Sequence, residues 1–402
     1  MRARRLLGTI ALIALIALPG ASCSGVPHGE GARPTGPSTV TVAIAPGIGE
    51  EPWLAFRDGD TGWEHLDAGA TRTVAAAFFD VAAFCPAITP YRTEATAYLY
   101  RARPGDATRL VLDRCTDAVT RPAPQVVKLT IAGVGPNRSV RIHTAGPGQA
   151  QRIDTGPLSG DVAADPAAPR GLQDLVVVDG VLESATDFLG EHVLVRRDIF
   201  FSTGTRKRLD LGAAAKLERV AVTYEGALPD EQIIVSSQLV TARGATAYLS
   251  IDGDAPYEAR RLPTLAPRDR QFVEVEATAG EASRHVRGAG GALRLPPPVE
   301  PAAVKGEGAL VSVVWTTDPA FDWYELASKA GSGGFHFRSP TKSLGARVVF
   351  ALPPPVPWFG DVPWNSEDRE EWTLSGWRGP DGAPWSAYTA LSARAFPAPP
   401  PE

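Results

Sequence analysis

Of the side chains in this 402-residue chain, the six histidines, three cysteines and nine tryptophans are those from which chemistry would first be expected. The histidines are His28, His65, His143, His192, His285 and His336, and no two lie closer than 37 positions. Zinc sites built from near-neighbour His or Cys ligands are thereby excluded, and any metal set would have to be gathered from distant strands. No cofactor is expected.

Asp58 and Asp60, like Asp252 and Asp254, have the spacing of calcium-loop ligands. The twelfth positions of such loops would be Gly69 and Pro263, where a bidentate Glu is required. The Asp-Gly steps at 58–59, 252–253 and 381–382 therefore read as hairpin turns, whose positive backbone angles these residues favour. Gly133-Val134-Gly135 leads into Pro136, Asn137 and Arg138, which makes it a turn and not a phosphate loop. Ala330-Gly331-Ser332-Gly333-Gly334, with His336 close behind, approaches the nucleophile elbow of serine hydrolases. An elbow needs a buried strand before the serine and a helix after it, whereas Lys329 and the Gly pair give a loop entering a strand. No catalytic residue is assigned. In the strand-like run His192 to Asp198, Arg196 and Arg197 point to opposite faces, and one is expected inward, paired with a carboxylate such as Asp174.

The tryptophans are unevenly placed: two at 53 and 63, seven from 315 to 385, and none in the 251 residues between Trp63 and Trp315. Aromatic faces stack on sugar rings, so the C-terminal stretch is where a ligand platform would be sought. Trp358 and Trp364, with Asp361 and Asn365 as hydrogen-bonding groups, form that candidate in a Pro-rich loop. The competing reading places the same tryptophans in a sandwich core, Trp372 and Trp377 above all.

The elements that must hold these residues are short runs rich in Val, Ile, Thr and aromatics, separated by Gly, Pro and Asp, which is an all-β signature. The clearest are 39–45, 108–113, 126–132, 140–144, 175–178, 192–201, 220–224, 233–240, 246–251, 272–277, 310–316 and 347–352. Val127, Leu129 and Ile131 can face a core while Lys128 and Thr130 face water. Ala213 to Arg219 is the one fair helical candidate. The expected fold is several consecutive antiparallel β-sandwich-like units: a first β-domain over 39–122, a central β-region over 123–295 that is open to division near 213–218, and a Trp-rich β-domain over 304–396.

Residues 1–22 read as an export signal, with Arg2, Arg4 and Arg5 followed by an uncharged apolar run of 13, Leu6 to Leu18, too short to span a bilayer. Pro19, Gly20, Ala21 and Ser22 then lead to Cys23, and this run resembles the lipobox of bacterial lipoproteins. The resemblance implies that Cys23 is lipidated, palmitate included, and becomes the first residue of a mature protein anchored on the extracytoplasmic side of the membrane. Ser24 in place of Asp implies an outer membrane where the host has one. Ser24 to Ser38 holds four Gly and three Pro and little apolar bulk, as a flexible tether does. With Cys23 given to lipid, Cys85 and Cys115 remain as an even pair in an exported chain, which reads as one disulfide.

Loss of the leader leaves 37 basic residues against 45 acidic ones, a balance unsuited to nucleic acid. The partners expected are the membrane, through the lipid, and a cell-wall glycan or an envelope protein. Beyond residues 1–38 the chain resembles uncharacterised surface lipoproteins in architecture alone. Two functional readings stand. The favoured one is a non-enzymatic envelope protein, structural or binding. The other is an extracytoplasmic hydrolase acting on glycans, whose Asp and Glu residues would meet across strands in an aromatic-lined cleft.

Overall fold

The computed structural model describes residues 37–44, 51–86, 95–112, 115, 125–144, 150–155, 160–184, 187–305, 312–330, 333–351, 356–359, 369–379 and 388–397. Among these residues the fold is all β, with two 3-10 turns and no α-helix. Its spine is a continuous 17-stranded sheet. From one edge the strands run Glu64–His65, Trp53–Asp58, Phe79–Cys85, Ala95–Ala102, Gly333–Pro340, Trp323–Ala330, Arg369–Arg378 and Ala390–Pro397. The sheet continues through Ala282–Gly288, Arg270–Ala279, Gln232–Val240, Thr246–Asp252, Phe188–Phe201, Gly171–Leu182, Ser139–His143 and Ala150–Asp154, and the seventeenth strand, Ala215–Lys216, pairs antiparallel with Phe188–Phe201 beside this series. Every neighbouring pair in this series is antiparallel except Ala95–Ala102 with Gly333–Pro340. That parallel pairing places the 39–122 and 304–396 stretches side by side, so the first and last parts of the chain build one layer together.

The end of the sheet that these parts share is covered on both faces. Ser38–Ile44, flanked by Thr71–Val74 and Arg109–Leu112, packs Val40, Val42, Val74 and Leu110 against Phe56, Val81, Tyr98, Trp323 and Trp377. On the other face Ser312–Thr316, flanked by Pro301–Lys305 and Arg347–Ala351, packs Val313, Trp315 and Phe350 against Leu99, Phe335, Phe337, Leu326 and Trp372. A strand covered twice has no solvent face, which is why all seven residues of Phe79–Cys85 are buried, small Ala82 and Ala83 among them. Farther along, Lys128–Val134 covers Leu175, Val177 and Leu194, with Val127, Leu129 and Ile131 buried and Lys128 exposed as the alternation requires. Glu218–Glu225 covers Ile233, Val235, Val273 and Val275 in the same manner.

Two local expectations are corrected. Residues 213–219 form no helix: Leu211–Ala213 is a single 3-10 turn capped by Asp210 on the Gly212 amide, and strands Ala215–Lys216 and Glu218–Glu225 follow. Burial of Leu217, whose amide bonds the Glu191 carbonyl, pulls the segment into extended form. Asp252-Gly253 ends a strand without closing a hairpin, because Asp252 accepts from the amides of Asp254 and Glu258 and sends the chain into Glu258–Arg261, a strand of another sheet. Asp58-Gly59 does lie in a hairpin connection, with Gly59 at φ +59 and Glu64–His65 paired back on Ala55 and Phe56. The step at 381–382 lies outside the described residues.

Cys85 and Cys115 form the expected disulfide, Cα to Cα 5.3 Å, across a sequence separation of 30. Both are buried in the core beneath Val40 and Val42. Closing that loop stabilises by about 3 kcal/mol on the chain-entropy argument. Urea unfolding with and without reductant should therefore differ by about that amount, and superimposable curves would contradict it.

Candidate functional site

Arg270–Ala279 alternates strictly. Val273, Val275 and Ala277 enter the core beneath Glu218–Glu225, so Arg270, Phe272, Glu274 and Glu276 occupy the opposite face of the sheet. Register adds neighbours to that face: Gln238 opposite Phe272, Tyr248 opposite Gln238, Arg287 opposite Glu274 and His285 opposite Glu276. Tyr388 stands just before Ala390–Pro397, whose Leu391 pairs with His285. The result is a cleft of about 420 Å³ lined by Gln238, Thr246, Arg270, Phe272, Arg287 and Tyr388, among others. Its volume lies within the range of about 300–1,000 Å³ seen for small-ligand sites.

Glu274 organises the cleft. It is only 6% exposed. The Tyr388 hydroxyl donates to Oε1 at 2.6 Å and the Gln238 amide to Oε2 at 2.9 Å. Arg287 lies 3.4 Å away and His285 Nδ1 3.3 Å away. Burial works against a charge here, yet His285, Arg287 and the Tyr388 hydroxyl together hold the carboxyl below its ordinary range. Burial, and then the same carboxylate, pushes the Tyr388 phenol up. Arg287 is clamped by aromatic faces, its guanidinium 3.9 Å from the Tyr388 ring centre and 4.7 Å from that of Phe272. Tyr248 adds a ring that is 38% exposed.

Glu274 and Glu276 share a face of one strand, with Cα atoms about 6.7 Å apart. That spacing is compatible with the carboxyl separations of about 5–9.5 Å that serve glycoside hydrolysis. Such a pair also needs a proton donor or a free nucleophile, and Glu274 is held ionised with both oxygens engaged by donors. The Gln238 amide and the Tyr388 phenol aim their donors at Glu274, and with Arg287 they form a fixed wall of the cleft.

A second buried carboxylate lies under the Val40 core. Glu325 is paired with Arg338 through Oε2 and with His336 Nδ1 at 3.1 Å, and Arg338 also donates to the Tyr100 hydroxyl at 2.9 Å. His336 stacks on Tyr98, ring centres 4.8 Å apart. This network faces packed side chains, and Ser332 of the elbow-like run lies outside the described residues. Arg197 is the inward member of the arginine pair, bonded to Asp174 at 2.7 Å and to Asp269, while Arg196 is exposed. Asp174 is thus the partner expected, and the ion pair ties two strands together.

Trp315, Trp323 and Trp372 are fully buried and Trp377 nearly so. Trp358 is half-buried, its ring stacked 4.2 Å from His65. Trp364, Asp361, Asn365 and Cys23 lie outside the described residues. His192, His285 and His336 each approach a carboxylate, and no cluster of three or more metal-ligating side chains occurs among the described residues.

Gln238, Arg270, Glu274, Arg287 and Tyr388 were not singled out by the sequence. The available signal was the run Arg270-x-Phe272-x-Glu274-x-Glu276 against Val273-x-Val275-x-Ala277, together with His285-x-Arg287: a strand polar and aromatic on one face and apolar on the other. No protein-family model matches the chain, and a search of curated proteins finds no relative, so the reading of the site rests on its geometry.

Proposed function

We propose that the protein is a membrane-tethered envelope lipoprotein whose β-body binds a ligand, a cell-wall glycan in the first instance, and does not transform it. The observation that carries the binding reading is the Glu274 hub beneath an open cleft: a buried carboxylate saturated by donors presents Arg287, Gln238 and Tyr388 in fixed orientation. The leader and its Cys23, followed by a Gly/Pro tether, support the anchoring. Cells producing the chain with labelled palmitate should yield a labelled product in the membrane fraction, and label persisting in Cys23→Ala would overturn the anchor. Calorimetry of the full chain with solubilised peptidoglycan tests the other half, a saturable heat being expected and none contradicting it.

A hydrolytic reading has the Glu274–Glu276 spacing in its favour. Release of reducing sugar from such fragments by the intact chain, lost in Glu276→Gln, would put hydrolysis in place of simple binding.

A further inference from the structure

The cleft carries more information than its existence. Two of its lining residues are arginines, and Arg270, exposed at its rim, makes no ion pair among the described residues. Arg287 is held against Glu274, so Arg270 is the cleft guanidinium that stands at the rim with no carboxylate paired to it among the described residues. Glu276 acts on the Tyr388 phenol at the other end of the cleft, but it lies six residues from Arg270 along the strand, about 20 Å away, and does not itself line the cleft. A planar guanidinium matches a planar carboxylate through paired N–H donors. Thr246, Thr389 and the Gln238 amide provide hydroxyl-reading groups, while Phe272 and Tyr388 provide apolar and aromatic walls.

Resting on the binding reading above, we propose that this cleft takes a carboxylate-bearing saccharide, the carboxylate meeting Arg270 and Arg287 and the hydroxyls meeting Gln238, Thr246 and Thr389. A single unpaired guanidinium at the rim suits one carboxylate per sugar, as in a uronate. A larger cleft of about 550 Å³ between Gly226, Arg294, the 296–298 prolines and Arg378 is a poorer candidate, because its buried Arg284 is consumed by Glu231 and by the carbonyls of Gly226 and Pro296.

The test uses the full chain with oligogalacturonate and with the same oligomer after carboxyl reduction. The acidic oligomer should bind at least tenfold more tightly, with affinity falling as salt rises. Arg270→Ala, which removes an exposed side chain, should erase most of that preference without altering the unfolding midpoint. Equal binding of the two oligomers would overturn the carboxylate assignment and leave the binding reading standing. An unchanged preference in Arg270→Ala, tighter binding of a glycerol-phosphate polymer, or no binding of either oligomer by a chain that still gives a heat with peptidoglycan would likewise overturn it.

Discussion

Glu325→Ala is expected to lower the free energy of unfolding by about 3–5 kcal/mol, the usual cost of removing one partner from a buried ion pair. The carboxylate is 1% exposed, and its loss leaves the Arg338 guanidinium without its buried anion between Tyr98 and Tyr100. Burial alone would push the Glu325 carboxyl up, but Arg338 and then His336 hold it at about 2. Because the folded value lies below the unfolded one, this stabilisation is complete above pH about 4.5 and is lost as pH falls toward about 2. The shift corresponds to about 3 kcal/mol. Urea midpoints of wild type and variant should differ widely at pH 7 and converge as the pH approaches 2, and equal midpoints at pH 7 would contradict the argument.

Gly190→Val should be comparably severe, upward of about 4 kcal/mol, because overpacking against backbone has no cheap relief. Gly190 sits where the Phe188–Phe201 strand leaves Thr246–Asp252 and moves on to Ala215–Lys216. A Cβ there would lie 2.3 Å from the Leu249 carbonyl oxygen and 2.9 Å from Val178 Cγ1. Its cross-strand partner is Gly180, itself crowded by the Leu189 carbonyl at 2.3 Å. Two glycines thus face each other where the Gly171–Leu182, Phe188–Phe201 and Thr246–Asp252 strands meet. Thermal unfolding of the purified variant measures the effect, and a melting temperature within a degree or two of wild type would refute it.

What could be read from the sequence depended on whether a strand has one wet face. Lys128–Val134 alternates and was legible, whereas Gln232–Val240, buried without a break from Val235 to Leu239, was legible only as a run rich in Ile and Val. Phe79–Cys85 and Ala95–Ala102 are buried on both faces and rich in Ala, so no clear alternation betrays them, and Gly333–Pro340 was legible only as a strand entered from a loop. Ala95–Ala102 pairs with Gly333–Pro340 to join the two parts of the chain, and a pairing across more than 200 positions leaves no local signal in the sequence. The Cys85–Cys115 pairing was legible once export was inferred. The cleft was not, because Gln238 and Tyr388 are 150 positions apart and only strand register makes both neighbours of Glu274. A Trp-poor central region drew attention away from it, whereas the tryptophan-rich stretch proved to supply core rings at Trp315, Trp323 and Trp372.

Amide hydrogen exchange of the full chain, with and without saturating solubilised peptidoglycan fragments, tests the binding claim most directly. Ligand should slow exchange over residues 236–240, 270–276, 285–288 and 388–390, and leave Glu218–Glu225 on the far side of the same core unchanged. Slowing confined to the Trp53 and Trp358 end of the sheet, or no slowing at all on the Glu274 face, would contradict the assignment of this cleft as the ligand site.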